Sequence, residues 1–282
     1  MKNKRIIITG GAGFIGSSLA KRLAPQNEIL SIDNYFTGQE ENHVHGVKYI
    51  RAPAKEITEL KNFKPDFVFH FGEYSRVEKS FDDFEFVTEN NSHITSVLQF
   101  CKANNAKLIY SGSSTKFSRG GDGAFMSPYS FLKAKNTELV KSYAAWYGLN
   151  YAICYFYNVY GPGEISVGPY ATVIAKFLRL FNEGKALPIV KPGTQVRNFT
   201  HIDDVVSALE LIGEKGRGDN YGIGARNAFS ILQIAEMLGA EYKFVEERPG
   251  NRMDAELIIE KTLELGWRPV KSLEHYLAAV SS

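Results

Sequence analysis

The sequence predicts an α/β protein built on a doubly wound parallel sheet. Three observations carry this: short all-apolar runs that read as fully buried strands, amphipathic stretches between them, and a glycine-rich turn joining the first strand to the first helix. Arg5–Thr9, centred on Ile6-Ile7-Ile8, is the first strand, and Phe14–Leu23 follows with apolar residues at helical spacing. Further strands are predicted over 28–32, 47–50, 66–71, 107–111 and 150–157. Long helices are predicted over 88–104 and 130–147, the second ended by Gly148. Strands alternating with helices make right-handed βαβ units.

After Tyr160 the texture changes. Gly161-Pro162-Gly163 and Gly168-Pro169 break the alternation. Helices are predicted over 171–182 and 203–212, with strands near 220–223 and over Tyr242–Val245. The expected organisation is a sheet domain over 1–160 with a returning segment near 200–224. A smaller, interleaved α/β unit in 161–282 would mainly bind substrate. In such folds the ligand sits in the crevice at the carboxyl ends of the strands.

Composition narrows the class. The 282 residues carry a net charge of +2, which argues against coating nucleic acid or an anionic membrane. A hydrophobic fraction of 44% with 23% charged residues is that of a folded globular chain. There is no apolar run approaching the ~18 residues of a membrane span. The start, Met1-Lys2-Asn3-Lys4-Arg5, runs directly into a strand, so no secretory leader is expected. Two cysteines, Cys101 and Cys154, cannot make a disulfide framework or a metal cluster. A cytoplasmic protein without a metal is expected.

The turn reads Thr9-Gly10-Gly11-Ala12-Gly13-Phe14-Ile15-Gly16. Glycines there allow a tight turn and let backbone approach a pyrophosphate, while the following helix offers its N-terminal N–H groups. Asp33 ends the second strand, 20 residues past Gly13. A carboxylate at that place accepts both adenosine ribose hydroxyls and repels a 2′-phosphate, which favours NAD over NADP. Tyr129 and Lys133 lie four apart at the start of a helix and so share a face. A nearby ammonium favours the phenolate, making tyrosine a base for removing a hydroxyl proton.

Further stretches complete a pattern: 110–114, Asn158-Val159-Tyr160-Gly161-Pro162, the run from Arg197 to Val205, Arg248-Pro249-Gly250, and Leu265-Gly266-Trp267-Arg268-Pro269. Over nearly its whole length the chain resembles the extended short-chain dehydrogenase/reductase family. The resemblance is to the NAD-dependent sugar-nucleotide epimerase/dehydratase branch, which includes UDP-glucose 4-epimerase. It implies a Rossmann sheet, bound NAD, a nucleotide-sugar substrate and a homodimer. It places Gly10, Gly13, Phe14, Ile15 and Gly16 at the pyrophosphate, and Asp33, Asn34, Thr37 and Gly38 at the adenosine. Phe71, Gly72 and Phe156 fall beside the nicotinamide half. Ser113, Tyr129 and Lys133 fall on the catalytic positions. Ser75, Arg76, Asn158, Arg197 and Arg248 fall on the substrate side. The dimer would form through two helices, with Phe100, Leu139, Tyr143 and Trp146 as candidate contacts, any of which could be core instead. Plainer roles stay open: Ser113 as a cap, Asn158 as a turn residue, and Arg197 and Arg248 as surface charges. Asp203-Asp204 is expected to cap a helix, and His70 and His201 to be structural.

Departures from the pattern are informative. The dehydratases carry an Asp-Glu pair where this chain has Ser114 and Thr115, which disfavours a 4,6-dehydratase. The adenine-contacting Asp after the third strand is missing from Arg51-Ala52-Pro53-Ala54. Glu73 enters the run His70-Phe71-Gly72-Glu73-Tyr74. It either contacts substrate as an extra acid/base or points to solvent. The loop between Ser118 and Pro128 is short and Gly-rich. Tyr74, Phe156 and Tyr157 are expected around the pocket. The activity implied is 4-epimerisation of a nucleotide sugar through a transient 4-keto sugar, with Tyr129 as base. The alternatives are a nucleotide-sugar 4-reductase or other keto-sugar oxidoreductase, and a non-catalytic dinucleotide-binding scaffold or sensor.

Overall fold

The computed structural model describes residues 1–118, 123–246 and 256–281. Seven strands form one parallel sheet: β1 (Arg5–Thr9), β2 (Glu28–Asp33), β3 (Val47–Arg51), β4 (Phe67–His70), β5 (Lys107–Ser113), β6 (Tyr151–Phe156) and, much later in the chain, Gly218–Ile223. The last of these pairs with β6, and the spatial order continues β5, β4, β1, β2, β3. The order reverses between β1 and β4, and this switch point opens a crevice at the strand C-termini. Ile6 and Ile8 face one side of the sheet and Ile7 the other, all fully buried.

One face is covered by α1 (Phe14–Leu23). The other carries α3 (Ile94–Ala103) and α4 (Pro128–Tyr147), with α2 (Phe84–Ser92) packed against α4. The helix expected over 88–104 is thus two helices that meet at His93. The first begins earlier than expected because Asp83 accepts from the Phe86 N–H at 2.9 Å. Ser127 likewise caps α4 by accepting from the Ser130 N–H at 3.0 Å, with Pro128 at the first helical position.

Beyond β6 lie β7 (Val159–Tyr160), α5 (Val173–Asn182), β8 (Leu187–Val190), β9 (Val196–Asn198), β10 (Thr200–His201) and α6 (Ile202–Lys215). The edge strand of the sheet, Gly218–Ile223, is β11. Then come β12 (Ala228–Ser230), α7 (Ile231–Met237), β13 (Tyr242–Val245), α8 (Glu260–Glu264) and α9 (Leu273–Ser281). α6 packs with α1 on the sheet. Its cap is His201, whose Nδ1 accepts from the Asp203 N–H, not the Asp203-Asp204 pair. The buried Asp204 carboxylate accepts instead from the Val270 and Lys271 N–H groups at 3.1 and 2.9 Å. A separate apolar core gathers Phe177, Ile189, Phe199, Ile234 and Leu277. Phe100 is also core, packed under the sheet, the role left open for it beside a dimer contact; Trp146 is exposed. Among the described residues no helix is long and apolar enough to cross a membrane.

Candidate active site

The crevice holds a cavity of about 660 Å³ lined from both sides. At one end is the glycine turn. Gly10 has φ +74°, and a Cβ there would press on the Phe71–Gly72 peptide at 2.9 Å. A Cβ on Gly16 would collide with the Gly10 carbonyl oxygen. Gly13 caps α1 with no side-chain hydrogen bond to the helix end, and Phe14, Ile15 and Gly16 of its first turn line the cavity. That cradle could hold a pyrophosphate.

Asp33 is buried at the end of β2. Its Oδ2 accepts from the Ala12 N–H and its Oδ1 from the Tyr35 N–H, both at 2.8 Å. Each oxygen keeps a lone pair for a ribose hydroxyl. Asn34 and Thr37 line the cavity beside it, and Gly38 packs against Asp33 Oδ1. Ala52 and Ala54, where an adenine-contacting acid was missed, are buried apolar residues. Arg51 lies over the Tyr35 ring at 3.9 Å and pairs with Glu40 at 2.6 Å.

The other end is built from β5 and α4. Ser113 ends β5, where its Oγ accepts from the Thr115 hydroxyl at 2.9 Å and the Thr115 N–H at 3.3 Å. Tyr129 and Lys133 line the cavity from the first two turns of α4. Lys133 is buried, and its Nζ donates to the Ser111 carbonyl and to Glu73 Oε2, both at 2.6 Å. Phe71 and Phe156 meet edge to face at 5.9 Å and complete this end with Gly72. Tyr157 does not join them. It is buried, and its hydroxyl donates to the Glu256 carbonyl.

Glu73 does not point to solvent: its side chain has no exposure, although the residue lines the cavity. Tyr110, Lys133 and Asn136 all donate to it, at 2.8, 2.6 and 2.9 Å. Burial opposes its charge, but Lys133 and His70 outweigh burial and hold the carboxyl down at about 2.

The remaining wall bears the other expected substrate residues. Arg76 donates through Nε and Nη2 to the Tyr170 carbonyl at 3.2 and 2.7 Å, and through Nη1 to the Ser75 carbonyl at 3.1 Å. Ser75 lies beside it, exposed. Asn158 has φ +34° and donates to the Asn198 carbonyl at 3.1 Å, so it shapes a turn while lining the cavity. Arg197 also lines it, and its Nη1 donates to the Val196 carbonyl. Arg248 lies outside the described residues, as do 119–122 of the short loop. Glu164 was not anticipated. It lines the cavity, accepts from the Gly161 N–H at 2.8 Å, and is pushed up to about 7 by burial. Its only sequence signal is its place directly after the Gly161-Pro162-Gly163 break.

Residues 6–224 match the model of the NAD dependent epimerase/dehydratase family. The chain belongs to that family. It is therefore an NAD-dependent enzyme of the epimerase/dehydratase type, and the glycine cradle, uncapped helix end and Asp33 suit that cofactor. A UDP-glucuronic acid decarboxylase from Arabidopsis thaliana is 28% identical over 98% of this chain and 87% of its own length. A trifunctional 4,6-dehydratase/3,5-epimerase/reductase from the same plant is 30% identical over 94% of this chain. This chain spans 44% of that protein's length. The UDP-glucuronic acid 4-epimerase of Bacillus cereus, solved with UDP-glucuronic acid and NAD, superposes with a TM-score of 0.88 at 25% identity. That superposition covers 98% of each chain.

Proposed function

We propose that this family member is a nucleotide-sugar 4-epimerase. The observation that carries the reading is the convergence of Ser113, Tyr129 and Lys133 on one end of the cavity, with Ser114 and Thr115 in place of carboxylates. Gly10, Gly13, Gly16 and Asp33 would hold NAD, with Phe71 and Phe156 beside its nicotinamide. Bound there, NAD supplies a hydride acceptor that returns the hydride later in the same turnover. Tyr129 takes the proton from the sugar C4 hydroxyl as that carbon is oxidised, and gives it back on reduction. Ser113 hydrogen-bonds the same oxygen and stabilises its developing charge. Its own oxygen is oriented by Thr115, which leaves the Ser113 proton for the sugar. Ser114 and Thr115 cannot protonate a leaving hydroxyl, so water elimination lacks the acid that carboxylates at those two positions would supply. Arg197 and Arg248 would grip the diphosphate, as guanidinium forks do, and residues 161–282 would mainly carry the substrate. A homodimer through α4, whose Trp146 and Tyr147 are exposed, accompanies this reading.

Arg76 favours a second reading. It lines the cavity bonded to carbonyls, and among the described residues it makes no ion pair. A guanidinium in the wall whose charge no carboxylate pairs among the described residues suits an anionic sugar, such as a uronate. Oxidation at C4 of a uronate makes a β-keto acid, which loses carbon dioxide without an added acid.

Product mass spectrometry on a panel of neutral and uronic nucleotide sugars tests both. A product of unchanged mass that separates from the substrate by chromatography supports epimerisation, and loss of CO₂ supports decarboxylation. Tyr129→Phe should lower turnover by about 10³-fold while the protein still releases NAD on denaturation. Normal turnover in that variant would sink the mechanism.

A further inference from the structure

A buried charge under the cavity floor has no part in the chemistry above. Glu73 accepts from Lys133 and Asn136 on α4 and from Tyr110 on β5. His70, at the end of β4, brings Nε2 to 3.5 Å from Glu73 Oε1. His70 Nδ1 lies 2.6 Å from Thr9 Oγ1, which accepts from the Gly72 N–H at 3.1 Å. A row of buried polar groups thus runs from the glycine turn to Lys133.

As a device for stability alone this is a poor choice. A fully buried ion pair gives little over well-packed apolar residues of the same volume. What it does fix is Lys133. With Glu73 and the Ser111 carbonyl at 2.6 Å each, the ammonium has two of its three donors committed beneath the cavity.

We propose that Glu73 is a positioning residue: it draws Lys133 down against β5 and offsets its charge, so that a neutralised pair, not a lone ammonium, sets the ionisation of Tyr129. The proposal rests on reading Tyr129 and Lys133 as the acid–base pair. Besides Lys133, the charged and titratable groups that bear on Tyr129 are Arg76 and Tyr110. Those that bear on Glu73 are Lys133, His70, Tyr110 and, from between α2 and α3, His93. A lone lysine stabilises a nearby phenolate, and pairing that lysine with a carboxylate takes most of the effect away.

The test is Glu73→Gln, which keeps shape and hydrogen bonding and removes the charge. Tyr129 ionisation is read by tyrosinate absorbance in the protein as purified. Each curve is the difference between a protein and its Tyr129→Phe counterpart. The Tyr129 midpoint should fall by about one pH unit in Glu73→Gln, roughly tenfold more phenolate at a given pH. Glu73→Asp, which retracts the carboxylate by one methylene, should lie between, and it carries the test if the glutamine variant does not fold. An unmoved or raised midpoint overturns the proposal. So does a loss of thermal stability with the midpoint unchanged, since Glu73 would then serve only the fold. No substrate is needed, so this result is separate from turnover by Tyr129→Phe, which judges the acid–base reading itself.

Discussion

The two ends of the cavity are built from different materials. The end at Asp33 is made of backbone. Its carboxylate is held by two N–H groups, its neighbours are glycines, and its shape depends on atoms that are missing from side chains. The end at Ser113 is made of side chains whose charges cancel under a sealed floor. A backbone site loses in proportion to the contact removed. A buried charged cluster fails as a unit, because removing one partner leaves another unpaired in a low dielectric.

The largest effect should follow from breaking the second end. Lys133→Met leaves the Glu73 carboxylate buried without its cation and should cost about 3–5 kcal/mol in denaturant unfolding. Glu73→Leu combined with Lys133→Met should recover much of that loss. A double variant as weak as the single would deny that the two charges act together. A somewhat smaller effect comes from acid. The Glu73 carboxyl is held at about 2 in the folded protein, against roughly 4.3 unfolded. Its contribution is whole above the unfolded value and is lost as pH falls from about 4 toward 2, on the order of 3 kcal/mol. Wild type should lose stability over that window and Glu73→Gln should lose less. Parallel pH curves for the two proteins would count against the pair. The smallest effect belongs to the first end. Asp33→Asn keeps one acceptor oxygen, leaves one of the two N–H groups unpaired, and should weaken NAD binding about tenfold by calorimetry at a stability cost of about 1–3 kcal/mol. A collapse of the fold in that variant would erase the contrast.

Where local chemistry decides, the sequence was readable. Arg5–Thr9, Phe14–Leu23 and Tyr242–Val245 stand where their patterns put them. Gly10, Asp33, Ser113, Tyr129 and Lys133 all meet at the cavity as spacing and resemblance required. Starts of helices were read late at Asp83 and Ser127, although both caps are legible: apolar periodicity begins only after a cap has acted. Glu73 could not be placed from its neighbours, because its position depends on Lys133, 60 residues away. Glu164 was passed over because its burial comes from the fold of the segment after Tyr160, not from any local run.

The seven-stranded sheet draws strands from residue 5 to residue 223, and β11 arrives last. Until it does, β6 is an open edge: Tyr151–Phe156, largely apolar, with its outer N–H and C=O groups unpaired. α6, which closes the same side, is itself fastened from further along. Trp267 donates to the Asp204 carbonyl and to the Ser207 hydroxyl, both at 3.0 Å. During synthesis from the N-terminus, then, the half that carries Gly10, Ser113 and Tyr129 emerges first yet exposes an adhesive strand until some sixty further residues have followed. The half that supplies this wall of the cavity is early in the gene and late in becoming safe from association.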